Sequence, residues 1–410
     1  MEILMAWRNL RRNPRRTILT VLAIAFACLL LIFMLSMQIG TYEVMINASV
    51  KTMTGHAQVI REGYNRDHKI RQTVTVPDVV AKILNKTPHV TAFTFRGNAF
   101  ALLSSHERTC AGMVTGIDPL KERAVSTISR TIRTGGYLNE ADANQCVIGT
   151  LLAKKLKINV GDELVLLGSA MDGSIAATVL TVKGIFESGM DDYDRAAIQI
   201  PLAHFQEVFA MRGAVHEIVI ICDSLGNVDN VKQTVTSALA RQNPGSKLVC
   251  LSWGELNPGL VQSIEMDLGG GIIFYIILLV MVAFSIMNTF VMTVFERTRE
   301  LGTLIAIGAR PGRLSKMLML ESGFLTLCGI ALGVFAGCSL TLWLGHTGIP
   351  LGGAEGMLRQ YGIPGEIRPK LTMATACAGP CLVFVITILT ALYPALKVHR
   401  INPVQAMRAV

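Results

Sequence analysis

Charged side chains are scarce along the apolar parts of this chain, so the places where they gather are where chemistry has to be sought. The densest group is Glu296, Arg297, Thr298, Arg299 and Glu300, which follows directly on a long apolar run. Leu301, Leu304, Ile305 and Gly308 then recur at spacings of three and four, the period of one helix face. Gly302 lies within that stretch, and Gly-Ala-Arg-Pro at 308–311 stops it. A short helix with a charged start and an apolar stripe, set between two apolar runs, suits docking into a partner's groove rather than catalysis or spanning. Glu321 is the one charged residue inside the apolar runs. An acid in that setting is a functional candidate by default. It stands one turn beyond Met317, however, where Arg313, Lys316 or backbone donors can satisfy it, so structural pairing is the leading expectation over proton or substrate handling.

The usual catalytic constellations are missing. There is no GxxxxGK[ST], HExxH or GxSxG and no paired zinc-ligand motif. Gly269, Gly270 and Gly271 open a helix but follow no strand of a βαβ unit, so they do not form a dinucleotide site. No catalytic, cofactor-binding or metal residues are therefore assigned. Any energy used has to come from another subunit.

The elements that position these residues are set by hydropathy. The chain has 410 residues, of which 51% are hydrophobic and 16% charged, too apolar for an ordinary soluble protein. Four runs, Thr17–Met37, Ile272–Phe295, Leu318–Leu344 and Met373–Leu396, each exceed the about 20 residues needed to cross a hydrocarbon core. The net charge of +9 is unevenly spread. Residues 41–268 hold 22 Lys and Arg against 23 Asp and Glu. Residues 1–16, 296–316 and 397–410 together hold 13 against three. Basic residues beside span ends mark cytoplasmic segments, so the charge reports orientation and not nucleic-acid binding. Both termini and the 296–313 turn are expected inside, and residues 41–268 and 345–371 outside.

In chain order the expectation is a cytoplasmic amphipathic helix over 1–16 and a first span over 17–40. An extracytoplasmic α+β domain follows over 41–268. The later spans fall at 269–295, 314–344 and 372–396, with a coupling helix at 296–313, an external loop at 345–371 and a cytoplasmic tail at 397–410. The 21-residue first apolar run is longer than a cleaved signal's core, which favours a retained signal-anchor. Within the domain, Val74–Val76, Pro77–Leu84 and His89–Phe95 read strand, helix, strand. Glu217–Cys222, Val228–Arg241 and Lys247–Leu251 repeat that order. Between them lies an inserted β-rich subdomain over about 117–212, with a short helix at Thr150–Leu156 and alternating runs near 177–182 and 197–200.

Gly40–Thr54 and Trp253–Asp267 extend the first two spans as a helical stalk. Gly269, Gly270 and Gly271 interrupt the second path, either as a hinge or as a close-packing point against the first span. Gly329, Gly333 and Gly337, at four-residue steps, form a small-residue face for close helix packing. Cys110, Cys146, Cys222 and Cys250 in the domain allow three disulfide pairings, with buried free thiols as the default.

The order of these parts resembles the permease subunits of MacB/LolC/FtsX-type ABC transporters over essentially the whole chain. The matching motifs are Ala-Trp-Arg-Asn-Leu-Arg-Arg-Asn-Pro-Arg-Arg-Thr before the first span, Gly-Ile-Asp-Pro at 116–119 and Val-Gly-Asp at 160–162. Further matches are Glu-Arg-Thr-Arg-Glu-Leu-Gly-Thr-Leu-Ile-Ala-Ile-Gly-Ala at 296–309, Glu-Ser-Gly at 321–323 and Tyr-Pro-Ala-Leu-Lys-Val-His-Arg at 393–400. The resemblance implies a non-catalytic permease in the bacterial inner membrane. It implies a second permease, identical or related, and two copies of a separate ATPase that holds ATP and Mg. The segment 296–309 becomes the coupling helix, and Ile305 departs from an arginine common there. Lys-Thr-Met-Thr-Gly-His-Ala-Gln-Val at 51–59 is similar to the lipoprotein-releasing LolC/LolE branch, which implies lipid-anchored cargo. The alternatives are MacB-like export of peptides or small molecules, FtsX-like signalling, and a membrane scaffold without an ATPase.

Overall fold

Long apolar runs and short alternating ones produce two kinds of unit in this chain. The computed structural model describes residues 14–242, 245–307, 311–350 and 366–397. The amphipathic helix expected over 1–16 lies almost entirely outside the described residues, as do Gly308, most of the 345–371 loop and the tail beyond Lys397. The chain divides into a helical unit (1–42, 264–350 and 366–410) and an α+β unit (43–263 with 351–365).

Helix α1 (Pro14–Ser49) ends in a π-helical turn, Val50–Thr54. The α+β unit continues through β1 (Ala57–Arg61), α2 (Pro77–Leu84), β2 (Val90–Ser104), β3 (Thr109–Ile117), α3 (Pro119–Val125), β4 (Ile132–Gly135) and β5 (Gln145–Gly149). Next come α4 (Thr150–Leu156), β6 (Glu163–Ser169), β7 (Ile175–Phe186), β8 (Ala197–Pro201), α5 (Leu202–Val208), β9 (Glu217–Cys222), α6 (Val228–Gln242) and β10 (Leu248–Ser252). The chain then forms α7 (Pro258–Glu296), α8 (Thr298–Ala306), α9 (Pro311–Thr347), a two-strand pair β11 (Ile349–Pro350) and β12 (Glu366–Ile367), and α10 (Met373–Lys397).

In the helical unit α1, α7, α9 and α10 are each long and apolar enough to cross a membrane. The 36 residues of α1 rise about 54 Å, well beyond a roughly 30 Å hydrocarbon core. Ile24, Cys28 and Leu31 of α1 pack with Ile286 and Phe290 of α7, Leu325 of α9 and Val383 of α10. Ile273, Met281 and Phe284 of α7 remain 62–66% exposed. Apolar surface of that extent needs lipid or a partner over it.

The α+β unit is built on one ten-stranded sheet in the order β10-β1-β9-β2-β3-β8-β5-β7-β4, with β6 pairing both β2 and β7. The strands β2-β3-β8-β5-β7-β6 therefore close into a ring, which leaves those strands no free edge. Inside it pack Leu103, Val114, Ile148, Leu164, Leu166, Leu180 and Ile198, closed off by Leu152 and Leu156 of α4 and Phe205 of α5. Outside the ring, α2 and α6 cover the same face of β1, β9 and β10 through Val80, Ile83, Val231 and Val235 against Val59, Ile218, Ile220 and Cys250.

The two cores share β2. Its first half pairs β9 from Val90 to Arg96, and its last residues, Ala101–Ser104, pair β6. The inserted core consequently reaches from Ala99 to Ala214, wider than 117–212, because one 15-residue strand serves both parts. Val74 makes a single bridge to Val215 and no strand. Strand β8 is buried along its whole length, since it has neighbours on both sides and packing on both faces. All nine cysteines are free, and burial pushes the Cys250 thiol up to about 12, leaving it inert.

Candidate functional site

The charged turn is shaped by a one-residue break. Helix α7 ends at Glu296, Arg297 leaves helical geometry at φ −101° and ψ 8°, and α8 starts at Thr298. Thr298 Oγ1 donates to the Val294 carbonyl at 2.8 Å, which holds the new helix against the end of the old one. Arg297 turns inward. Its Nη1 lies 3.3 Å from Glu321 Oε2 on α9, and its Nε lies 3.2 Å from Glu300 Oε2. The Glu321 side chain is only 8% exposed and that of Arg297 17%. Glu321 thus meets the arginine that begins the turn, a partner the sequence did not point to.

Helix α8 has two faces. Gly302 is buried, and Ile305 packs against Val294, Leu314 and Leu318. On the other face Leu304 and Ile307 are 42% and 80% exposed, beside the exposed Arg299 and Glu300. The stripe expected to face a partner is therefore split. Ile305 seals the helix onto its own bundle. Ile307 takes the outward place; its spacing of three from Leu304 was the available signal. Leu301 belongs to α8, and its side chain lies outside the described residues.

The glycines take different roles. A Cβ on Gly329 would stand 2.7 Å from Ile24 Cβ, one on Gly333 2.6 Å from the Ala25 carbonyl oxygen, and one on Gly337 3.2 Å from Leu29 Cα. The small-residue face of α9 is where α1 comes close. Gly269, Gly270 and Gly271 lie within the unbroken helix α7, so they do not interrupt it. A Cβ at Gly269 or Gly270 would meet nothing within 4 Å, and at Gly271 only the Gln38 side chain, 2.9 Å away. Close packing thus applies to Gly271 alone. Next to it Gln38 Nε2 and Tyr42 Oη both donate to Asp267 Oδ2, and Tyr275 Oη donates to Gln38 Oε1.

The α+β unit holds a second polar site, a cavity of about 340 Å³ on the sheet face opposite α2 and α6. Arg96 on β2 is bidentate to Glu122 of α3, at 2.5 and 3.2 Å, and its Nη1 donates to the Met53 carbonyl in the π-helical turn. Burial opposes the Arg96 charge, but Glu122 more than offsets it and holds the guanidinium protonated. Glu217, the cross-strand neighbour of Arg96 on β9, is partly buried. Burial raises its carboxyl, with partial relief from Arg96 and the Asn98 amide. His216, next along the chain, accepts from the Asn98 backbone N–H at Nδ1 and donates from Nε2 to the Ile70 carbonyl. Burial lowers His216 to about 4. No group of three or more metal-ligating side chains occurs among the described residues.

Comparison with known proteins gives the family. The FtsX-like permease C-terminal family matches residues 272–403, and the MacB-like periplasmic core domain matches residues 17–238, more than half of the chain. The chain belongs to the LolC/MacB-type family of ABC transporter permeases. Among its LolC/MacB-type relatives, the lipoprotein-releasing system transmembrane protein LolC of Xylella fastidiosa (strain 9a5c) is 25% identical over 95% of this chain and 92% of its own length. LolC of Neisseria meningitidis serogroup B is 22% identical over the full length of both chains. The macrolide export ATP-binding/permease protein MacB of Rhodopirellula baltica is 26% identical over 48% of this chain and 27% of its own. As in the rest of the LolC/MacB-type family, apolar helices make this a membrane protein with a large periplasmic α+β domain.

Sequence reasoning did not find the Arg96–Glu122–Glu217 group. Its members lie between positions 96 and 217: the pairing of β2 with β9 sets Glu217 beside Arg96, and α3 brings Glu122 to the same arginine.

Proposed function

We propose that this chain is the permease of a lipoprotein-releasing ABC system. Its spans carry ATP-driven motion from a separate ATPase to the periplasmic domain. In this reading both termini and α8 are cytoplasmic, residues 41–268 are periplasmic, and two permeases, identical or related, pair with two ATPase subunits that bind ATP and Mg. The permease itself is not an enzyme. The end-to-end likeness to two LolC proteins supports lipid-anchored cargo. The observation that carries the coupling role is the outward pair Leu304 and Ile307 flanked by Arg299 and Glu300. An exposed apolar patch with a charged rim is the surface a groove accepts.

The test is co-purification. The wild-type chain is expected to bring down a separate ATPase, and Leu304→Asp with Ile307→Asp to lose it while the permease stays folded. Undiminished recovery from the double variant would refute the contact, and absence of any ATPase from wild type would favour a scaffold. The likeness to MacB supports a second reading, export of peptides or small molecules. Mass spectrometry of material captured in lipid discs separates the two: an acylated protein supports release, and a small molecule or peptide supports export.

A further inference from the structure

The charges around the cavity of the α+β domain do not balance. Arg96 is bidentate to Glu122 and bonded to the Met53 carbonyl. Glu217 is left over. Among the described residues no cation lies within ion-pair distance of it; the Arg96 charge relieves it only in part, and its side-chain hydrogen bond is to the neutral Asn98. Ionised, Glu217 leaves the group one negative charge in excess in a partly buried setting, and such a charge is costly unless a cation joins it. The remaining walls suit a cation with an alkyl stem. Tyr64, Tyr193 and Phe100, together with Met53 and Met113, line the same space, residue types that suit a cation and its apolar stem. Phe100, 67% exposed, stands at the mouth.

We infer that this cavity binds an alkylammonium group, with Glu217 as its counter-ion and the aromatic side chains around its stem. The cation chemistry is common to a lysine side chain and to an ethanolamine lipid headgroup. The inference concerns the α+β domain alone and is independent of which cargo the transporter moves.

The test uses the full chain in detergent, with n-butylammonium chloride as probe, followed by calorimetry. Saturable binding is expected. Glu217→Gln, which keeps the shape and removes the charge, should weaken it about tenfold or more, a loss of at least about 1.4 kcal/mol. Phe100→Ala alters only an exposed side chain and should weaken it by a smaller factor. Glu163→Gln, an exposed carboxylate on β6 outside the cavity, should leave it unchanged. Displacement of the probe by N-acetyl-lysine amide alone supports the inference with a protein side chain as ligand; displacement by glycerophosphoethanolamine alone supports it with a lipid headgroup. Equal affinity in wild type and Glu217→Gln, no saturable binding in wild type, or failure of both competitors to displace the probe would overturn it.

Discussion

His216 shows how one buried side chain makes a domain sensitive to acid. Its Nδ1 accepts from the Asn98 N–H, so a proton placed there would set two donors face to face. The folded chain resists that proton down to about pH 4, whereas the unfolded chain takes it near 6.5. Between those values the unfolded state binds more protons, so His216 costs stability as pH falls, by about 3 kcal/mol once pH 4 is reached. The neighbouring Glu217, raised by burial, works in the opposite sense. Comparing wild type with His216→Gln isolates the histidine: melting between pH 7 and 4 should show the wild type losing more. Parallel curves would mean that the imidazole is not kept neutral. At the other end of the chain, the Arg297–Glu321 pair is too enclosed to count as a surface pair and too exposed to be fully buried. Losing one partner should cost about 2 kcal/mol, between the values for those two settings. Glu321→Ala should lower the melting temperature and weaken coupling of ATP hydrolysis, and the swap of Arg297→Glu with Glu321→Arg should recover part of both.

At the level of elements, two sets of glycines should respond in opposite ways to the same substitution. Gly333→Ala places a methyl group 2.6 Å from the Ala25 carbonyl oxygen, so α9 must move away from α1 at a cost of about 1–3 kcal/mol. Gly269→Ala and Gly270→Ala place theirs in open space within α7 and should each stabilise that helix by up to about 1 kcal/mol. Melting in detergent checks both, and transport that survives the second pair of changes removes any need for bending there. These helices were legible because a span needs about 20 apolar residues in a row, and no fold context changes that requirement. The helices at 77–84 and 228–242 were equally legible from one buried face recurring at helical spacing. The Gly269–Gly271 run misled because propensity is a weak preference, and the long apolar helix on its far side carries it through.

For the whole molecule, topology is the property most open to direct test. Ile307→Cys should be shielded from a membrane-impermeant maleimide in intact cells and Val165→Cys labelled; the reverse pattern would invert the proposed orientation. The ring of strands was not legible in the sequence. Closing it requires β6 to find β2 across some sixty residues, and alternation within a strand says nothing about its neighbours. The Arg297–Glu321 pair was hidden for a similar reason, since it depends on how α9 folds back beside the end of α7. Strand β2 carries a practical consequence for anyone exchanging parts between relatives. A graft cut at 117 would leave Ala99, Ala101 and Leu103 of the recipient to line a foreign interior. A chimaera joined near Arg96 and Ala214 transplants the ring with its own lining and should fold where the shorter graft does not.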